Sequence, residues 1–161
     1  MLKKLAVGAA ALVATSSAAS AEQLVDSIHF LIPGGAGGGW DGTARGTGEA
    51  LTGAGIVGSA SFENMSGGGG GVAIGHLIEN ADSMDGTLMV NSTPIVIRSL
   101  QGVFPYNFSD LTMIAGTIGD YGALVVTPGS TTTLGDLVAA YTADPSSIAM
   151  GGGSVPGGMD H

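Results

Sequence analysis

The residues best placed to do chemistry are glycines. Gly34, Gly35, Gly37, Gly38 and Gly39 form a loop that runs into Trp40 and Asp41, and Gly157-Gly158-Met159-Asp160 repeats the Gly-Gly-x-Asp ending near the other end of the chain. Glycine lets a backbone approach a ligand closely and adopt positive φ. Where such a loop opens a helix, free N–H groups and the helix dipole favour an anion. Two loops of this kind facing each other would hold a small anion from both sides. Past Lys4 the chain has no lysine, so the anion would be held by backbone amides, hydroxyls and water rather than by ammonium groups.

Other chemistries fit the residues less well. A phosphate loop needs G-x-x-x-x-G-K-[ST], which the missing lysines exclude. Gly37-x-Gly39-x-x-Gly42, with Glu63 downstream, has the spacing of a dinucleotide fingerprint. It starts five residues after Ile32 rather than directly after the strand, and residues 1–21 read as an export signal, which would take the chain away from soluble NAD, so the anion clamp is preferred. No G-x-S-x-G elbow is present. The chain has no cysteine, which removes disulfides, thiolate metal sites and cysteine nucleophiles together. His29, His76 and His161 lack ligand spacing and read as structural or surface residues. No metal or cofactor is expected. Asp41 and Arg45, four apart on an expected helix, read as a local ion pair in preference to a direct ligand contact by Arg45. Trp40 could line a pocket or pack in a core, and the sequence leaves both open.

The elements that position these residues follow from periodicity. Ser27–Ile32 is a compact apolar run ended by Pro33-Gly34 and reads as a buried strand. Trp40, Ala44, Thr47/Gly48 and Leu51 recur at helical spacing, so a helix is expected to open near Asp41, weakened by Gly46 and Gly48. Gly58–Met65 is a second strand by alternation. The five glycines Gly67–Gly71 lead into a stripe of Ile74, Leu77, Ile78 and Ala81. Thr87–Asn91 is a third strand, ending in the polar Asn91-Ser92-Thr93. Leu111–Gly116 and Gly122–Thr127 read as further strands. A helix follows, with Thr133 as N-cap, Asp136 at the capping-box position, a stripe of Leu134, Leu137, Val138 and Tyr141, and Pro145 as its stop. Ser147–Met150 reads as a last strand. Strands alternating with helices predict a parallel α/β sheet, whose ligands sit at the carboxyl ends of the strands.

The composition bounds the classes. The 161 residues predict about one domain. Glycine is 30 of them, against about 7% in ordinary chains, without the every-third spacing of collagen, and hydrophobic residues make up 44%. Four basic residues against 13 acids leave no basic footprint for nucleic acid. Residues 1–21 read as a signal peptide: Lys3 and Lys4 precede the apolar run Leu5–Val13, and Ala19-Ser20-Ala21 supplies the cleavage signal. The run is shorter than the ~20 residues that span a bilayer. The remaining 140 residues keep Arg45 and Arg98 against all 13 acids, a formal charge of −11.

Seven segments in order resemble the substrate-binding proteins of tripartite tricarboxylate transporters, the Bug-type periplasmic receptors. Pro33-Gly-Gly-Ala-Gly-Gly-Gly-Trp-Asp-Gly-Thr-Ala-Arg45 is similar to their first ligand loop. Glu63–Gly71 is similar to their N-x-x-G-x-G-G segment, Asp85–Leu88 to a D-G-Y-T-L without its Tyr, and Phe108–Ala115 to an L-T-P-I-A with Met113 in place of Pro. Thr133–Leu137, Ala143–Pro145 and Gly151–His161 complete the series. The resemblance implies a type II periplasmic-binding-protein-like α/β fold of two lobes, with residues 22–122 as the first and 123–161 as an incomplete second lobe. It implies a non-enzymatic receptor for a small organic carboxylate, a tricarboxylate such as citrate or a related di-acid. Its partners would be the transporter's membrane subunits, not nucleic acid, and its location the periplasm. The form of the loop with Trp40 is closer to the tricarboxylate branch than to the amino-acid branch. The implied clamps are Gly34–Asp41 from the first lobe and Gly152, Gly153, Ser154, Gly157, Gly158 and Asp160 from the second, with Asn91, Ser92 and Thr93 at the end of the third strand. The family's receptors are roughly twice this length, so the chain alone is expected to be an incomplete receptor that binds poorly or not at all. The competing classes are an exported enzyme acting on a small carboxylate and a glycine-rich structural protein with no defined cleft.

Overall fold

Phe30, Leu31 and Ile32 are each at most 1% exposed, which fits a strand flanked on both sides and covered on both faces. They close β1 (Val25–Ile32), the central strand of a parallel sheet ordered β2-β1-β3, with β2 at Val57–Asn64 and β3 at Thr87–Met89. The computed structural model describes residues 22–119, 121–130 and 133–153. The expected signal peptide lies outside them. The chain is a mixed α/β protein with a small three-stranded parallel sheet and helices.

The sheet's register is fixed by its apolar face. Ile28 pairs with Ala60, Phe30 with Phe62 and Ile32 with Asn64, and the Phe30 and Phe62 rings stack with centroids 5.4 Å apart. α1 (Gly39–Gly53) covers this face. Its buried Ala44 and Gly48, with half-buried Trp40 and Leu51, are the stripe expected from the sequence. Gly48 allows the contact, because a Cβ there would lie 2.6 Å from Phe62 Cζ. The glycine that lowers helix propensity is thus the one that lets helix and strand touch. On the other face, His29 Nδ1 lies 2.8 Å from Ser61 Oγ and His29 Nε2 lies 3.5 Å from Glu63, a polar row linking β1 to β2.

α2 (Gly71–Glu79) follows the glycine run, where Gly67, Gly68, Gly69 and Gly70 all have positive φ. At Gly70 a Cβ would also meet Ile95 Cγ1 at 2.9 Å. Ile95 belongs to α3 (Thr93–Leu100), which the sequence reading does not contain. α4 (Leu134–Ala143) forms where expected: the Asp136 backbone N–H donates to Thr133 Oγ1 at 3.1 Å, and Leu137 is buried. Leu134, Val138 and Tyr141 of the same stripe are exposed.

Three expected strands do not form. Leu111–Gly116 and Gly122–Thr127 carry no ladder, and Ser147–Met150 follows a single 3₁₀ turn at Pro145–Ser147 without becoming a strand. Their residues suit a pleated, half-buried surface, but such preference is realised only against a neighbouring strand. Among the described residues of 111–153 there is no strand. No helix among the described residues is long and apolar enough to cross a membrane.

Candidate functional site

Because the three strands are parallel, the loops after β1, β2 and β3 share one edge of the sheet. The order β2-β1-β3 puts the change of winding direction between β1 and β3, where open α/β sheets form their ligand crevice. The loop 33–38 after β1 and the polar residues 91–93 after β3 lie at this switch point. Trp40 Nε1–H crosses it and donates to Ser92 Oγ at 2.8 Å.

The β1–α1 loop presents amides. Gly38 is the N-cap of α1, and the first helical bond runs from the Gly42 N–H to the Gly38 carbonyl at 2.9 Å. The N–H groups of Gly39, Trp40 and Asp41 therefore lack intrahelical acceptors. Gly35, Gly37, Gly38 and Gly39 are exposed and Gly34 is half-buried. The left-handed residue of the loop is Gly37, at φ 83, while Gly38 is extended at φ −76. A Cβ on Gly34 would lie 3.1 Å from the Trp40 ring, so that glycine seats the indole. Of the two roles the sequence left open for Trp40, the structure shows the packed one, its ring lying against the core, while its N–H donates to Ser92 Oγ.

Across the crevice, Ser92 is the N-cap of α3, yet its hydroxyl makes no capping bond. Its Oγ accepts from Trp40 instead. Asn91 is half-buried, and Ser92 and Thr93 are exposed. Their polar groups add hydroxyl and amide donors opposite the α1 terminus.

Asp41 stands apart from these surface groups. It is 5% exposed, and both of its oxygens are occupied. Oδ2 accepts the Gly37 N–H at 2.9 Å, and Oδ1 accepts Arg45 Nε at 2.9 Å and Asn64 Nδ2 at 3.0 Å. The Arg45 side chain, the Gly37 amide and Asn64, in that order, hold its carboxyl down at about 2. Arg45 also donates to Asn64 Oδ1 at 3.3 Å and lies 5.0 Å over the Phe62 ring. The expected ion pair is present, and it is part of a larger network. Asn64, absent from the sequence-based site, joins it and also donates to the Gly34 carbonyl at 3.0 Å. It stands 23 residues from Asp41 with no local signal to expose the contact, although it opens the N-x-x-G-x-G-G-like segment.

The second expected loop is only partly described. Gly152 and Gly153 are exposed, without regular structure or a hydrogen bond to the first loop, and Ser154, Gly157, Gly158 and Asp160 lie outside the described residues. Glu63, the acid of the dinucleotide spacing, pairs with His29. Among the described residues no three His, Cys, Asp or Glu side chains gather as a metal site would require. No model of a known protein family matches the chain, and neither a curated protein nor a solved structure resembles it significantly.

Proposed function

We propose that this protein is an exported receptor for a small organic carboxylate, a tricarboxylate such as citrate or a related di-acid. It would deliver the acid to the membrane subunits of a tripartite tricarboxylate transporter. The reading includes a periplasmic location after removal of residues 1–21 and a two-lobed, type II binding-protein architecture with the β2-β1-β3 sheet in its first lobe. The observation that carries it is the β1/β3 crevice. There Trp40, in the first turn of α1, donates its Nε1–H to Ser92 Oγ at 2.8 Å, and the N–H groups of Gly39, Trp40 and Asp41 lack intrahelical acceptors. Helix N-termini and oriented amides suit a carboxylate. Arg45, the cation nearest in sequence, is committed to Asp41 and Asn64, so a carboxylate would be held by neutral donors.

Calorimetric titration with a panel of di- and tricarboxylates tests this. A saturable heat with at least one acid, and recovery of that acid unchanged, is the expected result. Absence of binding to every organic acid removes the proposal. Chemical conversion of the bound acid replaces it with the enzyme reading.

A further inference from the structure

Within the proposed site, Asp41 has the position of a ligand contact in sequence and the surroundings of a buried strut. We infer that Asp41 is a positioning residue: with Asn64 and Arg45 it fixes the β1–α1 loop so that the amides of the first helical turn remain turned to the crevice. This rests on the carboxylate-receptor reading, because it says how that site is held open.

Four observations carry it. Asp41 is buried, and its two oxygens already accept three hydrogen bonds. A ligand could reach it only by displacing them. The Gly37 N–H, which could otherwise serve an anion, points inward to Asp41 Oδ2, and Gly37 has the left-handed φ of 83 that turns the chain there. The Gly38 N–H likewise bonds within the loop, to the Gly35 carbonyl at 3.2 Å. The loop is thus closed by its own bonds, while the Gly39, Trp40 and Asp41 N–H groups at the start of α1 lack intrahelical acceptors. Finally, Asn64 holds Asp41 Oδ1 and the Gly34 carbonyl with one amide nitrogen. That ties both ends of the loop to the end of β2, directly before the glycine run 67–71.

Arg45 follows from the same geometry. It neutralises a buried carboxylate and stacks on Phe62, so its charge stabilises the loop and not the ligand. A carboxylate repelled by Asp41 at short range would otherwise meet a net negative first turn.

The test uses the full chain labelled with ¹⁵N-glycine, comparing wild type, Asp41→Asn and Asn64→Ala by amide hydrogen exchange and by citrate titration. A hydrogen bond to a charged group that is lost on substitution corresponds to about tenfold or more in exchange rate. Asp41→Asn is expected to speed exchange at Gly37 and Gly38 by about that factor, while Gly86 and Gly102 stay unchanged. Asn64→Ala is expected to do so less, and it keeps the inference testable if Asp41→Asn does not fold. Citrate affinity should fall in the same order, with the Asp41 carboxyl ¹³C resonance unmoved by citrate in the wild type. Unchanged exchange at Gly37 in both variants overturns the inference, as does a citrate-induced shift at the Asp41 carboxyl, which would make Asp41 a direct contact. If wild type binds no citrate or related acid, the carboxylate reading fails, and the exchange data still decide whether Asp41 holds the loop.

Discussion

Residues 25–100 and residues 111–150 are both rich in apolar side chains and glycine, yet they end in opposite states. In the first stretch Phe30, Ile32, Ile74 and Ile95 are at most 1% exposed. In the second, Met113, Ile114, Tyr121, Leu124 and Val125 are at least 66% exposed, and among the described residues Leu137 is the buried large side chain. The difference is pairing rather than composition. β1 has a parallel neighbour on each side and α1 across its face. The stretch 111–127 has apolar residues suited to strands, but its described residues form no ladder. Apolar character supplies the drive to bury, and partner strands decide whether it is satisfied.

The comparison sharpens into measurements, the largest first. Hydrogen exchange should separate the two regions most. Amides of Phe30–Ile32 should open only with the whole fold, at roughly 5 kcal/mol or more, while those of 111–127 exchange near the unfolded rate. Equal protection in both would mean the second stretch finds a ladder in solution. Next is a pair of truncations read by urea unfolding. Phe30→Ala should cost about 3–5 kcal/mol as a filled core site, and Val125→Ala should stay within about 0.5 kcal/mol as an exposed one. A comparable loss from both would erase the distinction. Gly48→Ala should cost about 1–3 kcal/mol through the contact with Phe62, whereas Gly46→Ala, with open space at its Cβ, should stabilise by a few tenths of a kcal/mol up to about 1.

Acid should act on the first region through Asp41. Its pKa is lowered from 3.8 to about 2, so the native state favours the charged form. The stability it contributes is fully present above pH 3.8 and is lost as the pH falls towards 2. Thermal melts of wild type and Asp41→Asn should therefore differ most near neutrality and converge in acid. A constant difference across that range would assign the loss to packing alone. The smallest effect belongs to the second region. Thr133→Ala should remove the N-cap of α4 at about 1 kcal/mol of local helix stability, seen as lost helical circular dichroism with little change in the melting of the sheet.

What the sequence showed follows the reach of each signal. β1, α1, β2 and the cap of α4 are written locally, in an apolar run, a helical stripe, an alternation and a Thr-x-x-Asp. The Asp41–Arg45 pair is legible for the same reason, being one helical turn apart. α3 has a start signal in Ser92 and Pro94. Its Ile95, Val96 and Ile97 are β-branched, however, and lower helix propensity, so only the packing of Ile95 against the glycine run reveals it. The strands expected at 111–127 fail in the opposite way, since local preference was present and partners were not. In the site, the left-handed turn residue is Gly37, which nothing local distinguishes from Gly38 and Gly39 beside it. Asn64 was hidden because its bond to Asp41 joins the end of one strand to the first turn of another element.

The central claim is that a carboxylate is held at the β1/β3 crevice by neutral donors. Trp40 is the only tryptophan in the chain, and its N–H crosses that crevice, so its fluorescence reports on the site alone. Citrate and a panel of di-acids should be titrated against this signal and, in parallel, against the glycine amide spectrum. The account predicts that one acid shifts the Trp40 emission and the Gly39 amide with a single dissociation constant, and that Ser92→Ala alters the emission before any acid is added. Binding of an acid that leaves Trp40 and Gly39 unmoved would place the ligand elsewhere and contradict the account.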